Sequence, residues 1–248
     1  MDCFGAKYEC LFFDMDDTLY PLSTGINLAC RNNIQEFMLN RLGIEETLVP
    51  KMCLDLYKEY GTTMAGLKVM GYEFDNDEFH AYVHGKLPYE KLKPDPVLRN
   101  LLLSMPQHKI IFTNADMVHA ARVLSRLGLE DCFEGVICFE TLNPPIESEA
   151  PILCKPDVKA FEAAIRLAGV DPKKTMFLDD STRNIASAKA AGLTTVLVGG
   201  SVANIPEADY VLSSIHNIKE AVPDIWEGKD EQPEQVVQPN AVATMVLA

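Results

Sequence analysis

The sequence predicts an α/β fold: a doubly wound parallel sheet interrupted after its first strand by an all-helical insertion. Three observations carry that expectation. From about residue 94 to 212, short apolar runs alternate with stretches of helical period, as in parallel strands joined by crossover helices. An earlier run, Tyr8 to Phe13, is too apolar for a strand with one wet face and too short for a helix. Between the two, roughly 22–90 has helical spacing and no convincing strand.

The elements follow in order. After the first strand, Ile26–Leu42 is helical and stops at Gly43, and Thr47–Tyr60 repeats the pattern and meets Gly61. Helical segments over Thr62–Met70, ending at Gly71, and Asp75–Val83 complete the insertion. Asp95–Leu103 is helical, His108–Phe112 is a strand, and Asp116–Leu127 is a helix halted by Gly128. Phe133–Phe139 is a strand, Asn143–Pro151 a loop, and Asp157–Ala168 a helix ending near Gly169. Thr175–Leu178 is a strand, Thr182–Ala191 a helix, Thr194–Val198 a strand, and Asp209–Leu212 a last one. This divides the chain into a Rossmann-like core (1–21 and 91–226), a helical cap (22–90) and a flexible polar tail (227–248).

Composition narrows the function. The net charge of −14 disfavours a general binder of nucleic-acid polymers, which needs a basic face. No apolar run approaches the roughly 20 residues that span a bilayer, and the start MDCFGAKYEC has no secretory pattern. The seven cysteines are scattered, with no CxxC pair; they read as reduced core thiols of a cytoplasmic protein. The five histidines show no metal spacing, and His108, His119 and His216 are expected at the surface or a strand edge. Trp226 is expected to anchor the last helix by packing.

Three strand ends carry unusual residues: Asp14, Asp16 and Asp17 after the first, Thr113-Asn114 after the second, and Asp179-Asp180 after the fourth. Taken singly, these are a solvated turn, a helix cap and another helix cap, and Lys155 is a surface charge. Together they converge where open α/β sheets bind ligands, beyond the carboxyl ends of the strands. Carboxylates gathered there repel unless a cation joins them. A hard divalent ion with oxygen ligands, Mg²⁺ when waters and a phosphate complete its shell, relieves that repulsion. It also lets an anionic nucleophile approach an anionic substrate.

LFFDMDDTL resembles the DxDxT signature of the haloacid dehalogenase-like phosphohydrolases. IIFTN, Lys155 in CKPD, and MFLDDSTRNI resemble that family's remaining three signatures, in its order. The match covers roughly 8–220, and the helical insertion sits where one type of family cap sits. TLYPLSTG and GTTMAGL resemble the pyrimidine 5′-nucleotidase-like branch, which includes plant and fungal enzymes acting on nucleoside monophosphates.

The resemblance implies a Mg²⁺-dependent phosphatase. In it Asp14 is the nucleophile that forms an aspartyl-phosphate, and Asp16 is the acid and then the base. Thr113 with Asn114 holds phosphate, and Lys155 neutralises nucleophile and phosphate. Asp180, the Asp14 side chain and the Asp16 carbonyl hold the metal, Asp179 acts through a bound water, and Asn184 braces the set. Asp17 and Thr18 shape the turn. Substrate readers are sought among Tyr20, Thr24, Tyr60, Thr62, Thr63 and Met64, with Gly61 and Gly66 allowing a bend or the close approach of a ligand. Tyr57 and Tyr60 fit a helical core stripe equally well. The expected substrate is a nucleoside 5′-monophosphate, with a sugar phosphate or vitamin phosphate as rival. A phosphomutase or a non-catalytic module uses the same core. A dehalogenase, which lacks the acid at position 16 and needs no metal, does not fit Asp16, Asp179 and Asp180.

Overall fold

The structure, a computed structural model, describes residues 7–145, 151–200 and 205–226. The expected tail and part of the expected 143–151 loop lie outside them. Six parallel strands form one sheet in the order β3-β2-β1-β4-β5-β6. They are β1 Cys10–Phe13, β2 His108–Phe112, β3 Gly135–Ile137, β4 Thr175–Asp179, β5 Thr194–Val198 and β6 Tyr210–Leu212. The order reverses at β1, which lies between β2 and β4. A crevice therefore opens at the carboxyl ends of these strands.

β1 explains its own apolar sequence. All four of its residues are buried. Leu11 and Phe13 join one core cluster with Ile111, Leu178 and Val196. Cys10 and Phe12 join another with Phe112, Phe161 and Phe177. Alternate side chains thus enter cores on opposite faces of the sheet. Burying one such phenylalanine contributes about 2 kcal/mol. The register pairs Phe13 with Ile111 on one side and Leu178 on the other. Asp14 is the next residue, and its N–H donates to the Leu178 carbonyl at 2.8 Å. Asp14 and Asp179 consequently leave the sheet side by side.

Between β1 and β2 run α1 Ile26–Asn40, α2 Val49–Tyr60, α3 Thr63–Val69 and α4 Asn76–Gly85. Their apolar faces share a third cluster centred on Phe37, Leu56, Leu67 and Phe79. Gly66 of α3 lies so close to α2 that a Cβ there would sit 2.7 Å from Leu56 Cβ. The remaining helices are α5 Pro96–Ser104, α6 Met117–Leu127, α7 Phe139–Leu142, α8 Val158–Ala168, α9 Thr182–Ala190 and α10 Ile218–Ala221.

The elements differ from the sequence expectation mainly at their ends. Asp75, Asp95, Asp116 and Asp157 precede their helices as N-caps, each accepting a backbone N–H. The strand expected over Phe133–Phe139 is confined to Gly135–Ile137. Cys138 caps α7, and Phe139 turns away to join the core of the insertion. Trp226 does pack on the sheet core and donates through Nε1 to Ser104 Oγ at 3.0 Å. The described cysteines are free thiols, and among the described residues no helix is long and apolar enough to cross a membrane.

The β5–β6 edge depends on one carboxylate. Asp209 Oδ2 accepts from the Thr195 backbone N–H at 2.9 Å and its hydroxyl at 3.1 Å, and Lys189 pairs with Oδ1. Partial burial pushes this carboxyl up, but Lys189 and the Thr195 donors outweigh it and hold it below its ordinary value. A depressed folded-state pKa contributes stability above the unfolded pKa, and that stability is lost as pH falls through the folded one. Asp209→Asn is therefore expected to cost about 1 kcal/mol near neutrality. The gap to wild type should close below about pH 4. Thermal melts across that range check it, and a gap independent of pH would show that the charge is not its source.

Candidate active site

Lys155 organises the strand ends. Its ammonium is 1% exposed and makes three hydrogen bonds: to Asp14 Oδ1 at 2.7 Å, Asp179 Oδ2 at 2.8 Å and the Phe112 carbonyl at 2.8 Å. One residue thus ties β1, β4 and β2 together. Burial opposes its charge, but Asp14 and Asp179 overcome this and hold its pKa well above the ordinary value. Asn114 places it: the side chain accepts from Lys155 N at 2.8 Å and donates to Lys155 O at 2.9 Å. Thr113 is buried, and its hydroxyl accepts from the Ala115 N–H at 3.1 Å.

Each acid has a different setting. Asp14 receives Lys155 on one oxygen and the Thr18 hydroxyl, at 3.0 Å, on the other. Asp179 is fully buried and accepts from Lys155, the Ser181 N–H and Asn184 Nδ2. Asp180 stands at the rim and makes no hydrogen bond to another residue among the described residues. Asp17 takes a positive φ of 60°, is held by Asn27 at 2.8 Å, and shapes the turn.

One carboxylate oxygen from each of Asp14, Asp179 and Asp180 lies within 4.8 Å of the other two. Burial drives Asp14 well above the ordinary carboxylate range despite Lys155, with Asp179 and Asp180 adding to the rise. Burial of its base, then Asp179 and Asp17, push Asp180 up to about 7. The protein's own cation leaves negative charge uncompensated here. This all-oxygen donor set fits a hard divalent ion such as Mg²⁺.

Asp16 points away from this cluster. His119 Nε2 lies 2.8 Å from its Oδ1, and the Tyr20 hydroxyl donates to the same oxygen. Burial would raise Asp16, but the His119 charge and both hydrogen bonds bring it down to about 2. His119 is correspondingly raised: burial lowers it, and Asp16 more than compensates. From Asp16 and Asn114 a cavity of about 310 Å³ runs beneath the insertion helices.

A family model described as haloacid dehalogenase-like hydrolase matches residues 8–192. The chain belongs to the haloacid dehalogenase-like hydrolases. Phosphate metabolism protein 8 of Saccharomyces cerevisiae is 33% identical over 195 residues, spanning 75% of this chain and 60% of that protein. The glyceraldehyde 3-phosphate phosphatase of Pyrococcus furiosus is 25% identical over 241 residues, 87% of this chain and 93% of that protein. The structure of CbbY from Rhodobacter sphaeroides in complex with phosphate matches with a TM-score of 0.59 at 17% identity, over 85% of this chain and 96% of that one. That likeness bears on the fold.

In this haloacid dehalogenase-like chain, the positions matching the four signatures meet at one place. Among the candidate substrate readers, Thr62, Thr63 and Met64 line the cavity. Thr62 also caps α3 through the Ala65 N–H, and Thr63 donates to the Cys53 carbonyl at 2.9 Å. Tyr20 and Thr24 do not line it: Tyr20 binds Asp16, and Thr24 accepts from the Ile26 N–H at 3.5 Å. Tyr60 packs into the core of the insertion, whereas Tyr57 lines the cavity with Arg183 4.7 Å from its ring.

Gly61 does permit a close approach, but by the chain itself. A Cβ there would meet the Lys155 carbonyl at 2.4 Å, and φ is +86°. Arg183 adds a second tie, donating to the Lys58 carbonyl at 2.7 Å.

Three histidines escaped the sequence reading. His119 is 2% exposed rather than a surface residue. It lies four positions before Val123 and eight before Leu127, on the buried stripe of α6, and that spacing was the available signal. His80 and His84, i and i+4 on α4, both line the cavity, so the histidines do contain a ligand-like spacing.

Two substitutions probe this geometry. Gly61→Ala is expected to displace the Lys155 carbonyl, lowering kcat by more than about 10-fold and stability by about 1–3 kcal/mol. Steady-state kinetics and thermal melts read both, and an unaltered kcat would detach this contact from catalysis. His119→Asn is expected to slow alkyl phosphates about 10²-fold. It should slow p-nitrophenyl phosphate much less, because nitrophenolate departs without a proton. Equal losses on both substrates would reduce His119 to a structural role.

Proposed function

We propose that this hydrolase cleaves small phosphomonoesters, nucleoside 5′-monophosphates foremost, through an aspartyl-phosphate on Asp14, beneath a cap formed by residues 22–90. The coarser statement is firm: the family and its phosphatase-named relatives make the chain a phosphoric monoester hydrolase. The observation that carries the mechanism is the buried Lys155 held between Asp14 and Asp179 at the strand-end crevice.

Each residue has a physical task. Lys155 and Thr18 fix the two Asp14 oxygens, so the carboxylate enters attack already oriented. Asp14 attacks phosphorus, and the bond from phosphorus to the leaving oxygen breaks. Asp16 gives that oxygen its proton and takes one back from the water that then cleaves the acyl phosphate. His119 touches Asp16 and supplies the proton that Asp16 passes to the leaving oxygen; the proton that Asp16 later takes from water returns to His119. Thr113 and the backbone around Asn114 receive phosphate oxygens, and Lys155 balances the charge that builds on them. Asp14 and Asp180, with the Asp16 carbonyl, would hold Mg²⁺, and Asp179 would support it from behind. When bound, the ion supplies charge neutralisation between carboxylate and phosphate.

Support for a nucleoside leaving group comes from the cavity. Its volume of about 310 Å³ is ample beside a three-carbon unit, and Ile26, Leu54, Tyr57 and Met64 offer flat or apolar contact. Thr62 adds a polar contact that suits a base. The several relatives named as glyceraldehyde 3-phosphate phosphatases favour a second reading, a small sugar phosphate.

Phosphate release measured across nucleoside monophosphates, sugar phosphates and vitamin phosphates separates these readings. A nucleoside monophosphate is expected to give the highest kcat/KM. Chelation by EDTA should abolish turnover and added Mg²⁺ restore it. Asp14→Asn should lower kcat by more than about 10³-fold. A wild-type rate in Asp14→Asn would sink the mechanism, and a clear preference for a triose phosphate would sink the nucleotide assignment.

A further inference from the structure

The cavity wall holds a second constellation, separate from the carboxylates at the strand ends. His80, His84 and Asp116 present one potential ligand atom each, all within 4.8 Å of one another. His80 and His84 share one face of α4, one turn apart. Asp116 comes from outside the insertion, at the start of α6. His84 Nδ1 is hydrogen-bonded to Asp116 Oδ1. His80 is only 7% exposed, yet both of its ring nitrogens are buried without a hydrogen-bond partner. Its Nδ1 lies 3.7 Å from the same Asp116 oxygen, so the ring is aimed into the cluster.

Two buried imidazole nitrogens left without partners are costly. Asp116 Oδ1 is engaged by His84, and at 3.7 Å His80 Nδ1 makes no hydrogen bond to it. A metal ion would engage one nitrogen of each ring and the carboxylate at a single centre. We propose that His80, His84 and Asp116 form a second metal site, taking a borderline ion of the zinc class. Two imidazoles with one carboxylate suit Zn²⁺ or Co²⁺ rather than Mg²⁺. Ligand atoms around such an ion stand about 3.3 Å apart when each is about 2.0 Å from it. The 3.7 Å between His80 and Asp116 is close to that spacing already. The ion takes the place of the proton now shared by His84 and Asp116, and that proton leaves to solvent. The cavity leaves room for water to complete the shell.

The position gives the ion a consequence. Two ligands belong to the insertion and the third follows β2, so the bound ion clasps the insertion to the segment after β2. It also lies one ring away from the acid: His84 stacks on His119 at 4.5 Å between centroids, and His119 bonds Asp16. Occupancy ties α4 to the start of α6 and resists their separation.

The test uses the full chain in excess Mg²⁺, so that the strand-end carboxylates do not compete. Titration with Co²⁺ is expected to produce visible d–d absorption saturating at one ion per chain. Zn²⁺ should displace the Co²⁺ and raise the melting temperature. His80→Ala and His84→Ala should each weaken binding by more than about 10-fold, while Asp180→Asn retains it. Nitrogen-15 NMR of labelled histidines in the wild-type chain should show coordination at two imidazoles. This reading needs no variant to fold. Absence of binding under Mg²⁺, retention in both histidine variants, a near-ultraviolet thiolate band placing Co²⁺ on cysteine, or unshifted histidine nitrogens would each overturn the proposal. None of these outcomes bears on phosphate release through Asp14.

Discussion

A lysine ammonium buried among carboxylates is the constraint on which the rest of the molecule hangs. Removing Lys155 from water is strongly unfavourable by itself. It is tolerable because every one of its N–H groups finds an acceptor, two of them charged. Those acceptors stand on β1, β2 and β4, the strands that meet where the sheet order reverses. The apolar run of β1 is needed for the same reason. Only a strand packed on both faces can hold Asp14 rigidly beside Asp179 and within reach of that ammonium. The fold class thereby becomes a consequence of charge placement as much as of hydrophobic patterning.

The two halves of the chemistry sit in opposite electrostatic settings. Asp14 and Asp180 are destabilised as anions and invite a cation. Asp16, two residues from Asp14, is stabilised as an anion by an imidazole that carries the proton. One short turn therefore presents the proposed nucleophile on the side of the clustered carboxylates and the proposed acid on the cavity side. The backbone reversal at Asp17, with its left-handed φ, separates the two.

Much of this was legible in the chain because it is local. An apolar run followed by acids reads as a strand end, and an aspartate before a helical period reads as a cap or as part of the helix. The three strand-end signatures and the position of Lys155 needed no knowledge of packing. The histidines did, because a histidine on an amphipathic helix is a ligand, a proton donor or a filler depending on what faces it. Nothing near residue 119 announces that Asp16, more than a hundred positions earlier, will lie against it. Phe139 is a similar case. Its apolar neighbours suggest that the strand continues, but the core of the insertion claims it. Tyr57 and Tyr60 share a stripe, and only the bend at Gly61 decides which of them meets the cavity.

The meeting of Gly61 with the Lys155 carbonyl has an evolutionary side. A helical insertion with its own apolar core would by itself be exchangeable while the sheet stays put. Here the joint is keyed: the end of α2 fits a backbone that also carries a residue of the reactive centre. A graft that brought in a foreign insertion with a side chain at this position would collide with the lysine loop before any ligand arrived. Residues 154–156 and the α2–α3 corner are thus sterically coupled, and a change at one of them is felt at the other.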